Sequence, residues 1–583
     1  MVSGSAQPGL GPFLHDLERL LADLPAAELH HALLEHASRL PRDERAAFLA
    51  IFQRPPDAGH HTDPELRTDV ESFLADIAAG TYVDEWSYDP EYRDNRAFGD
   101  ESWKIEMAGL FDRADAAFLA GEVVLARDVY RTLLEALLDG GGDESGFPGA
   151  GLPETLLSTD IVEAKQRCLR CIWEAEPVAT RVAALFEAVE ALTFIGSGIT
   201  LAVLDAARRD PLPDFDVVLP DLFAALRGAD LTSLEFGDEA YTMLAEASER
   251  LHGTDGLADL AREPGPRQAQ AYCDWVDALV RERRPSDAEQ AAREALDRLG
   301  PEDRCQAALA ERLAVFATLR ADGDGVLNAC VQAWRSDPTL ARLLRLVDVA
   351  SALGRRTEVL DAEADLTYEH PLAGRPALAA SVLLLAGRVD AARVLLAMED
   401  PGIWGSWFRP GPMVVAALLI GASGAASHPR WDGLLLRELL HKADSIDRLV
   451  ESGAVLGPFL DALSVPEEVA SRFRGLPRDE LLFSAQLLTA LAEYPAGPEQ
   501  RADWLEDARD HVYACVDAVV SEQRRGAYQQ AAHLVAACAE VDVIIGDAVT
   551  AQCYLEGVHT RYPRHVAFRR ELRSTLSRSP LLR

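Results

Sequence analysis

Apolar residues recur along this chain at helical spacing and almost nowhere at the period of two that marks strands. Leu17, Leu20, Leu21 and Leu24, then Leu29, Leu33 and Leu34, fall on one side of successive helices within residues 10–53. A short helix is predicted at about 64–79, and from residue 104 onward the helical pattern is nearly continuous. Proline and glycine break it at 55–59, 140–153, 211–220, 263–266, 401–412 and at Pro429. The breaks predict an N-terminal helical segment over 1–59. A short helix with an aromatic, acidic loop follows over 60–103, and a helical domain over 104–265. The last two regions are a repeat array over 266–400 and C-terminal helices over 401–583. The Gly-rich stretch 140–153 is expected to be a surface loop.

The stretch from Tyr82 to Trp103 departs from this pattern. It interleaves Trp86, Tyr88, Tyr92, Phe98 and Trp103 with acidic residues and is too aromatic for a disordered linker. It is expected to be an ordered loop packed on the helices.

A repeated punctuation carries most of the fold information. Leu119-Ala120-Gly121-Glu122-Val123 leads to Ala126-Arg127, and Leu385-Ala386-Gly387-Arg388-Val389 leads to Ala392-Arg393. Gly526-Ala527-Tyr528 with Ala531 is a third copy. Weaker forms lie near Arg283 to Ala288, Gly325 to Cys330 and Gly354 to Val359. The mechanical reading is a tight turn between antiparallel helices. Glycine supplies the left-handed residue that ends the first helix. The alanine five residues later sits at the helix crossing, where only a small side chain fits.

This spacing resembles the tetratricopeptide-repeat family, most clearly over 108–137, 270–400 and 520–575. The resemblance implies an all-α fold, an α-solenoid of antiparallel helix hairpins preceded by an N-terminal helical subdomain. It also implies a right-handed superhelix whose concave face binds peptides or partner helices. The distances between copies are irregular, so the array is expected to be divergent.

Composition narrows the function. Aspartate and glutamate outnumber lysine and arginine by 95 to 57, a net charge of −38. Such a chain repels nucleic acid and anionic membranes and favours cationic partners. Its three lysines, Lys104, Lys165 and Lys442, follow no phosphate-binding glycine run. This weighs against Walker-type NTPases and against kinases. The skew from lysine to arginine is that of a GC-rich, bacterial genome. Cys168 and Cys171 form a lone CxxC on a helix and are read as buried structural thiols. The N-terminus lacks the pattern of a signal peptide. The apolar run Met413 to Ala426 is too short to span a bilayer, and a cytoplasmic location is expected.

The remaining motifs fail on context. Asp214 and Asp216 match a phosphatase-like DxDxV without a strand before it, and are read as helix-capping residues. His30, His31, Glu35 and His36 do not converge on one helical face. Gly421 to Ala425 only approaches a nucleophile elbow and is read as a small-residue helix contact. Asp322 to Gly325 lacks the remaining ligands of a calcium loop and is read as a turn between helices. The basic C-terminal segment, with Arg561, Arg564, Arg569, Arg570, Arg573 and Arg578, is expected to cap the array.

The functional expectation is therefore a scaffold or adaptor that binds another protein or peptide, without cofactor, metal or catalytic residues. Aromatic and arginine clusters favour binding hot spots. On that ground the candidate partner-binding residues are Trp86, Tyr88, Tyr92, Trp103, Trp404, Trp407 and Arg409. One alternative is a helical enzyme or small-molecule sensor with its site near the aromatic loop or the 140–153 loop. A third reading is an acidic decoy of a nucleic-acid-binding protein.

Overall fold

The computed structural model describes residues 63–89, 94–139, 157–196, 198–300, 305–369, 372, 375–397, 410–441, 456–474 and 482–582, with positions 19, 20, 33 and 37 near the N-terminus. Most of the helices expected over 10–53, the 140–153 loop, Tyr92, and the cluster of Trp404, Trp407 and Arg409 lie outside the described residues. The chain divides into two compact units, Met1–Arg267 and Gln268–Arg583.

The fold is helical almost throughout. In the first unit the helices are α1 (Leu66–Ala78), α2 (Ser102–Ala120), α3 (Val123–Asp139), α4 (Ile161–Ala175), α5 (Val178–Ala191), α6 (Leu201–Ala206), α7 (Phe215–Gly228) and α8 (Gly237–Arg262). Helix α8 is kinked at Gly253, whose φ of 65° and ψ of −155° lie outside helical space. No described helix is long and apolar enough to cross a membrane.

The all-α expectation needs one correction. Between α1 and α2 the aromatic stretch forms an antiparallel hairpin of β1 (Val83–Asp89) and β2 (Asp94–Gly99). Trp86 and Tyr88 alternate with Glu85, Ser87 and Asp89, a period of two in residues that favour strands. The abundance of acids around them masked that alternation.

The second unit opens with four consecutive helix pairs. They are α9 (Gln268–Arg281) with α10 (Pro285–Arg298), and α11 (Cys305–Leu319) with α12 (Gly323–Ser336). Next come α13 (Leu340–Ala352) with α14 (Arg356–Glu369), and α15 (Pro376–Leu385) with α16 (Val389–Ala397). Each helix packs on the next, and α9 also touches α11 as α13 touches α15. Helices stacked in pairs are thus present.

One turn joins these pairs. After α9, α11, α13 and α15 a single left-handed residue follows, namely Arg283 (φ 61°), Ala321 (56°), Gly354 (68°) and Gly387 (71°). The next amide then reaches back to close the helix end: Arg284 to Leu279, Asp322 to Ala317, Arg355 to Ala350 and Arg388 to Leu383, at 2.8–3.0 Å. This is the six-to-one bond of a Schellman cap. Gly121, Gln523 and Gly546 make the same turn elsewhere. Gly526 does not. It sits in a short 3-10 turn, three residues after the left-handed Gln523. Five residues past the left-handed position lie Ala126, Ala288, Val326, Val359, Ala392 and Ala551, all buried.

The C-terminal helices are α17 (Pro410–Ser423), α18 (Leu435–His441), α19 (Glu467–Arg474), α20 (Phe483–Glu493), α21 (Pro498–Ser521), α22 (Tyr528–Ile544), α23 (Ala548–Arg561) and α24 (Val566–Leu576). Helix α22 is the centre of this region, in contact with α17, α18, α21, α23 and α24. The apolar run noted in the sequence is α17, buried from Val414 to Ile420. Its Gly421 admits the Trp504 ring so closely that a Cβ there would lie 2.6 Å from it. The basic terminal helix α24 packs on α22, with Phe568 and Leu572 buried.

The thiols are mostly internal. Cys168, Cys171, Cys273, Cys330, Cys515 and Cys538 are buried, Cys305 is half-buried and Cys553 is exposed. Burial pushes Cys168, Cys273, Cys330, Cys515 and Cys538 up to about 12, because the thiolate loses its hydration.

Candidate interaction surface

Helices α11 and α13 are apolar on nearly every side, yet each carries charges in its middle. Residues of α11 are buried almost without interruption from Gln306 to Ala317, including Glu311 (4% exposed) and Arg312 (2%). On α13, Arg345 is 8% exposed among buried leucines and valines. A helix apolar all round belongs inside a protein, and a charge there must be paired.

The pairing runs from helix to helix. Arg312 grips Asp277 of α9 with two bonds, Nε to Oδ1 at 2.7 Å and Nη2 to Oδ2 at 2.6 Å. Glu311 accepts from Arg342 at 3.3 Å through both oxygens, and also from Arg345, both on α13. Arg342 in turn donates to Asp337, as does Arg375 ahead of α15. Burial opposes the charge on Arg312, but Cys273 and Asp277 more than offset it and raise its pKa.

A short segment of the same chain closes this ladder. Residues 456–462 are helical, Ser464 turns left-handed (φ 51°), and α19 follows. Phe459 and Phe473 are buried. The Arg312 guanidinium lies 5.3 Å from the Phe459 ring centre and that of Arg345 lies 5.4 Å from Phe473. Phe459 also meets Phe316 of α11 edge-on at 5.5 Å. Arg345 donates to the carbonyls of Arg472 and Phe473, both at 3.3 Å. Those carbonyls end α19 and have no partner within it. Arg472 reaches back to Asp348 of α13 at 3.0 Å.

Later helices pack on the array in the same manner. Arg356 of α14 donates to Glu493 of α20 at 2.7 Å, and the Tyr494 ring lies against Gly387. Asp390 of α16 accepts from Trp504 Nε1 at 2.8 Å and from Gln500 at 2.7 Å, both on α21.

The residues expected from the sequence to bind a partner are scattered. Trp103 is wholly buried in α2, which removes it from any exposed surface. The backbones of Trp86 and Tyr88 lie in β1, paired with Ala97 and Asn95. Asp214 takes the position ahead of α7, but its carboxylate does not cap that helix. It accepts from Arg181 at 3.3 Å instead. Asp322 does cap α12, accepting from Gly325 N at 2.9 Å. Lys165 is buried and donates to the Ile195 carbonyl at 2.7 Å. Among the described residues no group of three or more His, Cys, Asp or Glu side chains is placed to hold a metal.

Sequence reading passed over Asp277, Glu311, Arg312, Arg342, Arg345 and the two phenylalanines. The available signal was Glu311-Arg312 inside an otherwise apolar helix, repeated by Arg342 and Arg345 in the next inner helix. Compared with models of known protein families, the chain matches none, and no curated protein matches it either.

Proposed function

We propose that this chain is a non-catalytic helical-repeat scaffold, tetratricopeptide-like in its second unit, that binds a helical or peptide segment of another protein. The observation that carries the reading is the ladder of paired charges along α9, α11 and α13. An internal core has no need of such charges, since well-packed apolar residues serve stability at least as well. A surface that recognises a segment does need them, because paired guanidinium and carboxylate groups fix register and exclude wrong partners. The recurrence of one turn at Ala321, Gly354 and Gly387, spaced 33 residues apart, supports the repeat assignment. A cytoplasmic setting fits the largely internal thiols.

The test is co-purification of the full-length chain from its native organism, followed by reconstitution from purified components. A stoichiometric complex in gel filtration, with cross-links to the second unit, is the expected outcome. Steady turnover of a small substrate together with no stable partner would overturn the proposal.

A further inference from the structure

We infer that the helical hairpin 456–474 is an internal stand-in for the partner, a displaceable segment seated on the recognition face of α11 and α13. The inference deepens the scaffold reading and rests on it for the existence of an outside partner. The hairpin is joined to the face by contacts that suit recognition better than core packing. Two aromatic anchors, Phe459 and Phe473, lie over the guanidinium groups of Arg312 and Arg345. A helix end delivers the carbonyls of Arg472 and Phe473 to Arg345. One half-buried ion pair, Arg472 to Asp348 at 3.0 Å, sets the register.

The ladder beneath does not depend on the hairpin for its own pairing. Arg312 is bound to Asp277, and Arg342 and Arg345 to Glu311, through partners that all lie on α9, α11 and α13 and not on the hairpin. The face is thus pre-organised, and its charges would be hydrated rather than orphaned if the hairpin left. What the hairpin supplies specifies the outside ligand. It is a helix ending in Arg followed by an aromatic residue, with a second aromatic fourteen residues earlier on a preceding helix, as Phe459 stands to Phe473.

The experiment uses the full-length protein, a Phe459→Ala/Phe473→Ala double variant, and a fluorescent synthetic peptide of residues 456–474 read by anisotropy. The double variant should bind the peptide, and wild type, with its own hairpin seated, at least about tenfold more weakly. Adding Asp348→Arg to the double variant should weaken binding about tenfold, and a peptide carrying Arg472→Asp should restore it. Hydrogen exchange run in parallel should show the double variant losing protection at 456–474 while α9 to α16 stay protected. Failure of the peptide to bind would overturn the inference, as would loss of protection across the whole array. A cellular partner that binds while the hairpin stays protected would also overturn it and leave the scaffold reading standing. Peptide binding without any cellular partner would overturn the scaffold reading and the stand-in role with it, leaving a hairpin that rebinds only its own site.

Discussion

The turn after α15 gives the sharpest stability test, because it can be compared with its neighbour one helix pair earlier. Gly354 and Gly387 have nearly the same φ, 68° and 71°, and close the same type of cap. A Cβ at Gly354 would meet nothing within 4 Å, whereas one at Gly387 would lie 2.3 Å from Tyr494 Cδ2 and 2.6 Å from Cγ. Left-handed backbone costs a residue with a Cβ about 1–2 kcal/mol. Part of this is offset, by about 0.5–1 kcal/mol, because alanine restricts the unfolded chain. Gly354→Ala should therefore cost about 0.5–1 kcal/mol net. Gly387→Ala carries the same strain plus overpacking of about 1–3 kcal/mol, for a total of about 2–4 kcal/mol. The excess belongs to the Tyr494 ring, so it should largely vanish in a Tyr494→Ala background, which a double-mutant cycle measures. A chain of two units is a poor two-state folder, so the readout is native-state hydrogen exchange of α13–α14 and α15–α16. Equal costs at the two glycines, or an excess that survives removal of Tyr494, would refute the packing argument.

Other outcomes follow from the same structure. Ala126→Glu and Ala392→Glu should each destabilise their own unit by about 2–4 kcal/mol, since both sites are fully buried at helix crossings; thermal melts in which both variants match wild type would show the crossings to be misplaced. Ala321→Gly should stabilise the α11–α12 pair by about 0.5 kcal/mol, because it relieves left-handed strain in a cap that already forms; a drop in local protection would contradict this. Burial alone would raise the pKa of Asp390, but bonds from Trp504, Gln500 and Arg393 bring it below the usual aspartate value. Its contribution is therefore present above the unfolded value, near about 3.9, and lost as pH falls further. Asp390→Asn should melt with a shallower dependence between about pH 5 and pH 3 than wild type, and parallel curves would argue against the pairing. Glu540 behaves in the opposite sense. Burial raises its pKa despite bonds from Ser579 and the amides of Leu436 and Leu435. Its contribution thus falls as pH rises from the unfolded value, near about 4.3, through the folded one. Glu540→Gln should remove that part of the slope, visible as a smaller change in Tm between about pH 4 and pH 7.

Helix identity was legible wherever apolar residues kept a period near 3.6, and the turns were legible where glycine marked them, as at Gly121, Gly354 and Gly387. Arg283, Ala321 and Gln523 do the same work without glycine. No residue type betrays them, because the surrounding helices impose the conformation and absorb its strain. The β-hairpin was missed for a related reason. Its alternation lies between aromatic and acidic residues, and acids are poor strand formers, so composition hid the period. The charged ladder was missed because its members come from three helices, and nothing local ties Asp277 to Arg312 or Glu311 to Arg345. Trp103 misled in the other direction. Beside so many acids it looked like an exposed anchor, but tertiary packing places it wholly inside its unit.

The distribution of sulfur has a practical meaning. A thiol whose pKa stands at about 12 is ionised at neutral pH in only about one molecule in 10⁵, and burial shields it from reagents besides. Cys553 is exposed and Cys305 half-buried. A maleimide dye or a mild oxidant should therefore mark the native chain first at Cys553, on α23, and more slowly at Cys305, without engineering. Every further modification would then time an opening of the interior, Cys330 for the array and Cys538 for the central helix. The protein carries its own clock of local unfolding.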